Sequence, residues 1–259
     1  MADRSPVRID APFPAAERLQ LVLAVGACRV EVTPGAGGAW VEGTYDDPSG
    51  ALPSTVKQEG GALRVSQDVS VKGTLGLLST GIPRLTLALG KARPYSLAVQ
   101  GGANEVTLDL GGLPLSELAV QGGAGRFRCD FSAPNPGQME RLEVQAGAVA
   151  LELRNLANAR FAEMRLEGGA ASYDLDFGGT LARDATVRLQ IGMSAVRISV
   201  PAATPARIVP ETVLGTVDVG DGFTKREGAW WTEAAVRGAT PVLSVRANVS
   251  LGTLRLAVT

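Results

Sequence analysis

The sequence contains no histidine. That absence removes Ser-His-Asp and Cys-His nucleophile chemistry, His-ligated zinc and haem, and any imidazole pH switch. Cysteine is nearly absent as well. Cys28 and Cys129 stand alone, without C-x-x-C spacing, at apolar positions of alternating segments such as Cys28-Arg29-Val30-Glu31-Val32. They read as buried free thiols rather than a disulfide or a reactive site. No charge of one sign dominates, because 25 Lys+Arg face 26 Asp+Glu for a net charge of −1. The basic footprint that phosphate backbones require is therefore missing, and nucleic acid is not an expected partner. No apolar run approaches the ~18 residues of a membrane span. The opening Met1-Ala2-Asp3-Arg4-Ser5-Pro6 lacks the basic and apolar regions of an export signal. A cytoplasmic protein without direct membrane insertion is the expectation.

What the sequence does have is glycine, 32 of 259 residues, or about 12% against a usual value of roughly 7%, with no G-X-Y period. Many turns follow. With 45% hydrophobic residues the chain can bury a substantial core, as one large or two modest domains.

The glycines belong to a repeat. Leu97, Leu118, Leu142, Met164 and Val187 lie 21, 24, 22 and 23 residues apart, a period near 22. Each unit opens on an alternating apolar pair and places Gln100, Gln121, Gln145, Glu167 or Gln190 at one shared offset. Gly102, Gly123, Gly147, Gly169 and Gly192 occupy the next key offset, where glycine fits a backbone with positive φ or a close approach. A second alternating strand follows, as in Val106/Leu108/Leu110 and Val196/Ile198/Val200. Chemically alike residues at matched offsets are what a parallel solenoid produces, because each coil stacks in register on the last. The fold class expected is all-β, a parallel β-solenoid of about 22-residue coils with an N-terminal β module. A β-sandwich or meander built from the same strands is the alternative.

Two domains are expected. Residues 1–84 would hold the N-terminal β module, the first coil and a mobile loop or contact surface at 68–82 that contains Leu75, Leu77 and Leu78. Residues 85–259 would hold the repeats. Short strands are expected at 40–45 and 63–66, around the turn chemistry of Asp46-Asp47-Pro48-Ser49-Gly50. Residues 155–164 are the best candidate for a short helix.

The segment Leu97-Ala-Val-Gln-Gly-Gly-Ala103, repeated as Leu118-Ala-Val-Gln-Gly-Gly-Ala124, resembles the toast-rack β-repeat of the LiaF-like, cell-wall-active antibiotics response family. The runs 21–32, 40–43, 213–219, Trp230-Trp231 and 243–256 resemble that family's opening and closing modules in order and spacing. The resemblance implies a bacterial β-solenoid, often carried by membrane proteins that modulate an envelope-stress kinase, with no established enzymatic activity. It supplies no catalytic residue. Family members commonly carry transmembrane helices before the β region, and this sequence shows none.

Candidate sites are few. Asp109 and Asp130 share a column that Arg154 interrupts before Asp176, with Asp174 on the same strand, and paired carboxylates at ~5–9.5 Å could hydrolyse glycosides. Arg128, Glu152, Asp174 and Arg197 form a column with opposite signs side by side at two of its three steps, better explained as a solvated face. Asp218-Val-Gly-Asp221 and Asp46-Asp47 lack the full ligand spacing of a calcium loop, and the Gly-Gly-Ala corners lack the helix and G-K-[ST] of a phosphate loop. No metal or cofactor is expected. Trp40 reads as core. Trp230 and Trp231 face opposite sides of a strand, so either the chain folds over one of them or one anchors a partner. The expected function is a non-enzymatic structural or interaction protein, an accessory in the envelope-stress response, with a carbohydrate-active lyase or hydrolase on the solenoid face as the alternative. The expected partner is a protein, with a membrane-associated signalling protein implied by the resemblance. The segment around Pro12 and Pro14 would shield one end of the stack, and the other end or the tryptophan region would mediate self-association.

Overall fold

Alternation of apolar and polar residues sets the strands, and a glycine corner changes its phase. Leu97 and Val99 point inward before the corner, and Val106 and Leu108 point inward after it, so the buried set passes from odd to even numbers. The computed structural model describes residues 6–50, 52–67 and 81–259. Strand makes up 65% and helix 3%, so the chain is all-β.

The first strands are short: β1 (Val7–Ala11), β2 (Gln20–Val25), β3 (Arg29–Pro34), β4 (Val41–Asp46), β5 (Ser54–Glu59), β6 (Ala62–Gln67) and β7 (Arg84–Leu89). Long bent strands follow as β8 (Tyr95–Asp109), β9 (Leu115–Asp130) and β10 (Met139–Arg154). β11 (Phe161–Gly168) and β12 (Ser172–Asp176) share one such course, broken at 169–171. Then come β13 (Ala185–Val200), β14 (Ala206–Val219), the hairpin β15 (Phe223–Arg226) and β16 (Ala229–Thr232), the one-turn helix α1 (Glu233–Val236), and β17 (Leu243–Val258). The helix expected at 155–164 is instead a single 3₁₀ turn, Leu156–Ala159, bounded by Asn155 and Arg160 with left-handed φ of 54° and 57°. Phe161 and Met164 then pair with Met139 and Leu142 of β10, so in-register pairing overrides the helical spacing.

Neighbouring long strands run parallel, with like residues over like. Leu97, Leu118, Leu142, Met164 and Val187 form one inward column and Val106, Phe127, Leu151, Tyr173 and Val196 another. β10 lies against β11 with its first half and β12 with its second. β13 does the same on the far side, closing a ring of pairings among four strands. Stacking does not follow chain order at either end. β17 lies between β13 and β14, and β2 and β3 lie between β6 and β7 on one side and β8 on the other.

The inward side chains of both arms form one core from Ile9 to Leu256. Asn135 and Asn158, both buried, tie the return loops together. Asn135 Nδ2 donates to the carbonyl of Leu115 at 2.8 Å, and Asn158 Nδ2 to that of Phe131 at 2.9 Å. The corner glycines are required by proximity rather than by positive φ, since none of Gly102, Gly123, Gly147, Gly169 and Gly192 has φ in that region. A Cβ on Gly123 would sit 2.8 Å from the carbonyl oxygen of Gly102, and one on Gly147 2.5 Å from that of Gly123. The crowding ends at Gly192, where the nearest atom would be 3.6 Å away. Beyond it, β17 and β14 carry Ser250 and Val213 in the corner.

Candidate functional site

Two grooves run across the stacked strands. The first, 480 Å³ in volume, lies on the outer face of the second arm. Small outward residues, Ala150, Ser172 and Ala195, floor it where β10, β12 and β13 pass. Arg126 stands at one end and Arg255 at the other, with Asp174 and Arg197 between.

The expected charge column is present in register: Arg128 lies beside Glu152, Glu152 beside Asp174, and Asp174 beside Arg197. Glu152 is bridged by Arg128 at 3.0 Å and by Arg154. Partial burial works against its carboxylate, yet the hydrogen bonds and charges of Arg154 and Arg128 hold its pKa below the ordinary value. Arg255 is bridged to Asp218 at 2.8 Å. Arg126 faces Glu105 in the register, but Glu105 is held by Arg29 at 3.0 Å. Among the described residues Arg126 therefore has no ion-pair partner. Arg197 reaches, among the described residues, only the Ser199 hydroxyl, at 3.2 Å. Among the described residues two guanidinium groups thus face the groove without a carboxylate bound to them.

The second groove, 640 Å³, follows the glutamine column on the first arm. Gln100, Gln121, Gln145, Glu167, Gln190 and Asn248 occupy one register position on successive strands. Among the described residues only Gln121 and Gln145 bond to each other, at 3.4 Å. Gln121, Gln145 and Gln190 are exposed to solvent, and water competes for exposed amides.

Three of the carboxylates considered for glycoside chemistry, Asp109, Asp130 and Asp176, are occupied in turns, whereas Asp174 lines the first groove. Asp109 accepts the Ser132 hydroxyl at 2.6 Å and the Gly111 amide at 2.9 Å. Asp130 accepts the Asn155 amide at 2.7 Å, and Asp176 accepts the Gly178 backbone N–H at 3.1 Å. Their role is to fasten where each second arm passes into its return loop. Among the described residues no group of three or more His, Cys, Asp or Glu side chains converges as metal ligands would. Within the same residues no helix is long and apolar enough to cross a membrane. Both cysteines are free and buried; burial pushes the Cys28 thiol up to about 12 and the Cys129 thiol higher still.

Trp230 and Trp231 lie on β16, which pairs antiparallel with both β14 and β15. Trp230 packs against the core, with Lys225 5.5 Å from its ring centroid. Trp231, on the opposite face, lies under Arg207 at 5.6 Å. Both rings are partly buried, and each already holds a cation of its own chain. Trp40 is fully buried between Phe13 and Tyr95. Leu75, Leu77 and Leu78, with most of the expected 68–82 loop, lie outside the described residues.

A family model described as the N-terminal domain of toast_rack, DUF2154, matches residues 3–140, or 138 of the 259 residues and more than half of the chain. The chain belongs to the toast-rack family. No curated protein matches. Among solved structures, the chain is similar to a candidate cell adhesion protein of Clostridium sporogenes, at 13% identity and a TM-score of 0.48, covering 98% of this chain and 100% of that one. It is similar also to a candidate adhesin of Bacteroides fragilis, at 11% identity and a TM-score of 0.46, with 98% of each chain covered. A third, a candidate lipid binding protein of Parabacteroides distasonis, gives 12% identity and a TM-score of 0.43, with 97% of each covered.

Several residues that organise the toast-rack stack gave no functional signal in the sequence. Gln67, Asn104 and Ser194 each hold a corner. Ser194 Oγ donates to the Gly169 carbonyl at 2.8 Å and accepts from the Ala171 amide at 3.2 Å, bridging the gap between β11 and β12. Arg126 and Arg197 are legible as outward residues only. That Arg126 lacks an ion-pair partner depends on Glu105 being already taken by Arg29.

Proposed function

We propose that the chain is a parallel β-solenoid that acts as a non-enzymatic interaction protein, receiving a protein partner along the outer groove of its second arm. In-register parallel pairing from β8 to β14 supports the solenoid reading. The observation that carries the interaction reading is the pair of unpaired guanidinium groups, Arg126 and Arg197, spaced along a floor of small residues. A segment bearing carboxylates would engage both without displacing an existing ion pair. The carbohydrate-enzyme reading loses support because Asp109, Asp130 and Asp176 are engaged in turns. For the cellular role we propose an accessory in envelope-stress signalling that acts on a membrane-associated signalling protein, the setting that the toast-rack resemblance implies.

The test is capture from the native cell with the wild-type chain and with Arg126→Glu/Arg197→Glu, each shown by circular dichroism to be folded. A membrane-associated signalling protein retained by the wild type and lost by the variant supports the reading. An unchanged set of partners overturns the groove, and turnover of a polysaccharide by the purified chain overturns the non-enzymatic assignment.

A further inference from the structure

Among the described residues, most of the large apolar side chains left in solvent are gathered at one end of the stack. Of the eight such residues among those described, five are Met193, Val213, Leu214, Val217 and Leu251, on the last three strands β13, β17 and β14. Met193, Leu251 and Leu214 continue, across paired strands, the corner column that begins as Ala103, Ala124 and Ala148. Alanine thus gives way to larger apolar residues as the column nears the end. Val213 and Leu214 are the most exposed of the eight, at 75% and 71%.

The same end presents an open sheet edge. β17 lines one side of β14 from Ala206 to Val219, while β16 pairs with its other side only at Arg207 and Ile208. Among the described residues, positions 209–219 face no strand on that side. Open edges of this length are a template for another chain. At the opposite end the stack finishes differently, in the short antiparallel strands β5 and β1, laid against β6 and β4. That difference between the ends disfavours head-to-tail growth and leaves the β14 edge to meet its own kind.

We propose that two copies of the chain join through β14, antiparallel, about a two-fold axis passing between Val213 and Leu214. The corner supplies the register. Because it shifts the alternation by one, the inward set of β14 is even-numbered before it, with Pro210 beside Ala247 of β17, and odd-numbered after it, with Val217 beside Leu254. A two-fold axis at 213/214 sets inward Pro210 opposite inward Val217 of the second copy. Outward Glu211 then meets outward Thr216, and Val213 meets Leu214. A slip of one residue would set inward side chains against outward ones. No like charges oppose directly, since Asp218 meets Val209. The axis also falls at the middle of the free edge, and β16 bounds the pairing at the outer end of each strand.

The decisive measurement is the mass of the full chain by sedimentation equilibrium at tens of micromolar, for the wild type and for Val213→Lys/Leu214→Lys. Both side chains are exposed, so the variant is expected to keep the wild-type circular dichroism. A dimer for the wild type and half that mass for the variant is the expected result. A monomeric wild type, an assembly larger than a dimer, or a variant that remains dimeric overturns the proposal. Register is read separately by mixing Val213→Cys with Leu214→Cys chains under oxidation. A 213–214 disulfide between chains supports the stated axis, and its absence in a dimeric mixture overturns it.

Discussion

Gln67 and Asn104 hold the same corner from opposite sides. Gln67 Oε1 accepts the backbone N–H groups of Gly26 and Ala27, both at 3.0 Å, and its Nε2 donates to the Ala27 carbonyl at 3.1 Å and the Tyr45 hydroxyl at 2.9 Å. Asn104 Oδ1 accepts the Cys28 N–H at 2.8 Å, and its Nδ2 donates to the Val25 carbonyl at 3.0 Å. The turn between β2 and β3 is thus secured by two amide side chains from strands stacked above and below it. Replacing Gln67 with Leu leaves several of these groups without partners and should lower stability by ~2–4 kcal/mol. Urea unfolding checks it; a loss under ~0.5 kcal/mol would show that water substitutes for the amide.

The glycine column makes a prediction with an internal control. Gly147→Ala places a methyl 2.5 Å from the Gly123 carbonyl oxygen, whereas Gly192→Ala meets nothing closer than 3.6 Å. The first should destabilise by ~1–3 kcal/mol as an overpacked contact. The second should change stability by less than ~0.5 kcal/mol. Melting temperatures of the two variants, measured side by side, decide the point. Equal effects would mean that the corner yields more readily than its spacing indicates.

Acid should act through Asp47. Partial burial works to raise its carboxyl pKa, but hydrogen bonds from the Ser49 hydroxyl and from the backbone N–H groups of Leu52, Ser49 and Gly50 prevail and hold it below the ordinary 3.8. A carboxylate depressed in the folded state stabilises above its unfolded value, and that stabilisation is lost as pH falls through the folded one. The stability gap between wild type and Asp47→Asn should therefore be full at pH 6 and shrink below about pH 4. Urea midpoints across that range provide the measurement, and a constant gap would remove Asp47 from the acid response.

Thiol chemistry should be silent in the native state. With burial raising both thiols, Cys28 to about 12, the thiolate that reacts is scarce at pH 8. Iodoacetamide should leave both cysteines unmodified in native protein and label both in guanidinium, as read by intact mass. Rapid native labelling of either would place that cysteine in a region that opens readily.

Much of this was legible because parallel stacking repeats its demands on every course. Leu97 and Leu118, or Gly123 and Gly147, recur near a 22-residue period since each touches its counterpart, and the column of Arg128, Glu152, Asp174 and Arg197 could be written down before any coordinate. The insertion of β17 between β13 and β14 could not, because alternation marks a strand without naming its neighbours. Gln67 and Asn104 were invisible for a related reason: they reach across strands far apart in sequence, and nothing local distinguishes them from solvated amides. Asn135 and Asn158 did carry a signal, since they stand 23 residues apart, close to the repeat period. That Arg126 has no ion-pair partner among the described residues depends on a prior pairing, Arg29 with Glu105, which only geometry discloses.

The placement of β17 bears on how the molecule is made. β13 and β14 are both synthesised before β17, yet in the finished sheet they lie on either side of it. The slot between β13 and β14 has to stay vacant until the later strand emerges, or open again to admit it, so assembly cannot proceed as a simple sequential zipper from the ribosome. A nascent chain halted after the β16 hairpin would carry the facing borders of β13 and β14 unsatisfied in addition to the outer edge of β14, which makes that interval the moment of greatest exposure to misassociation.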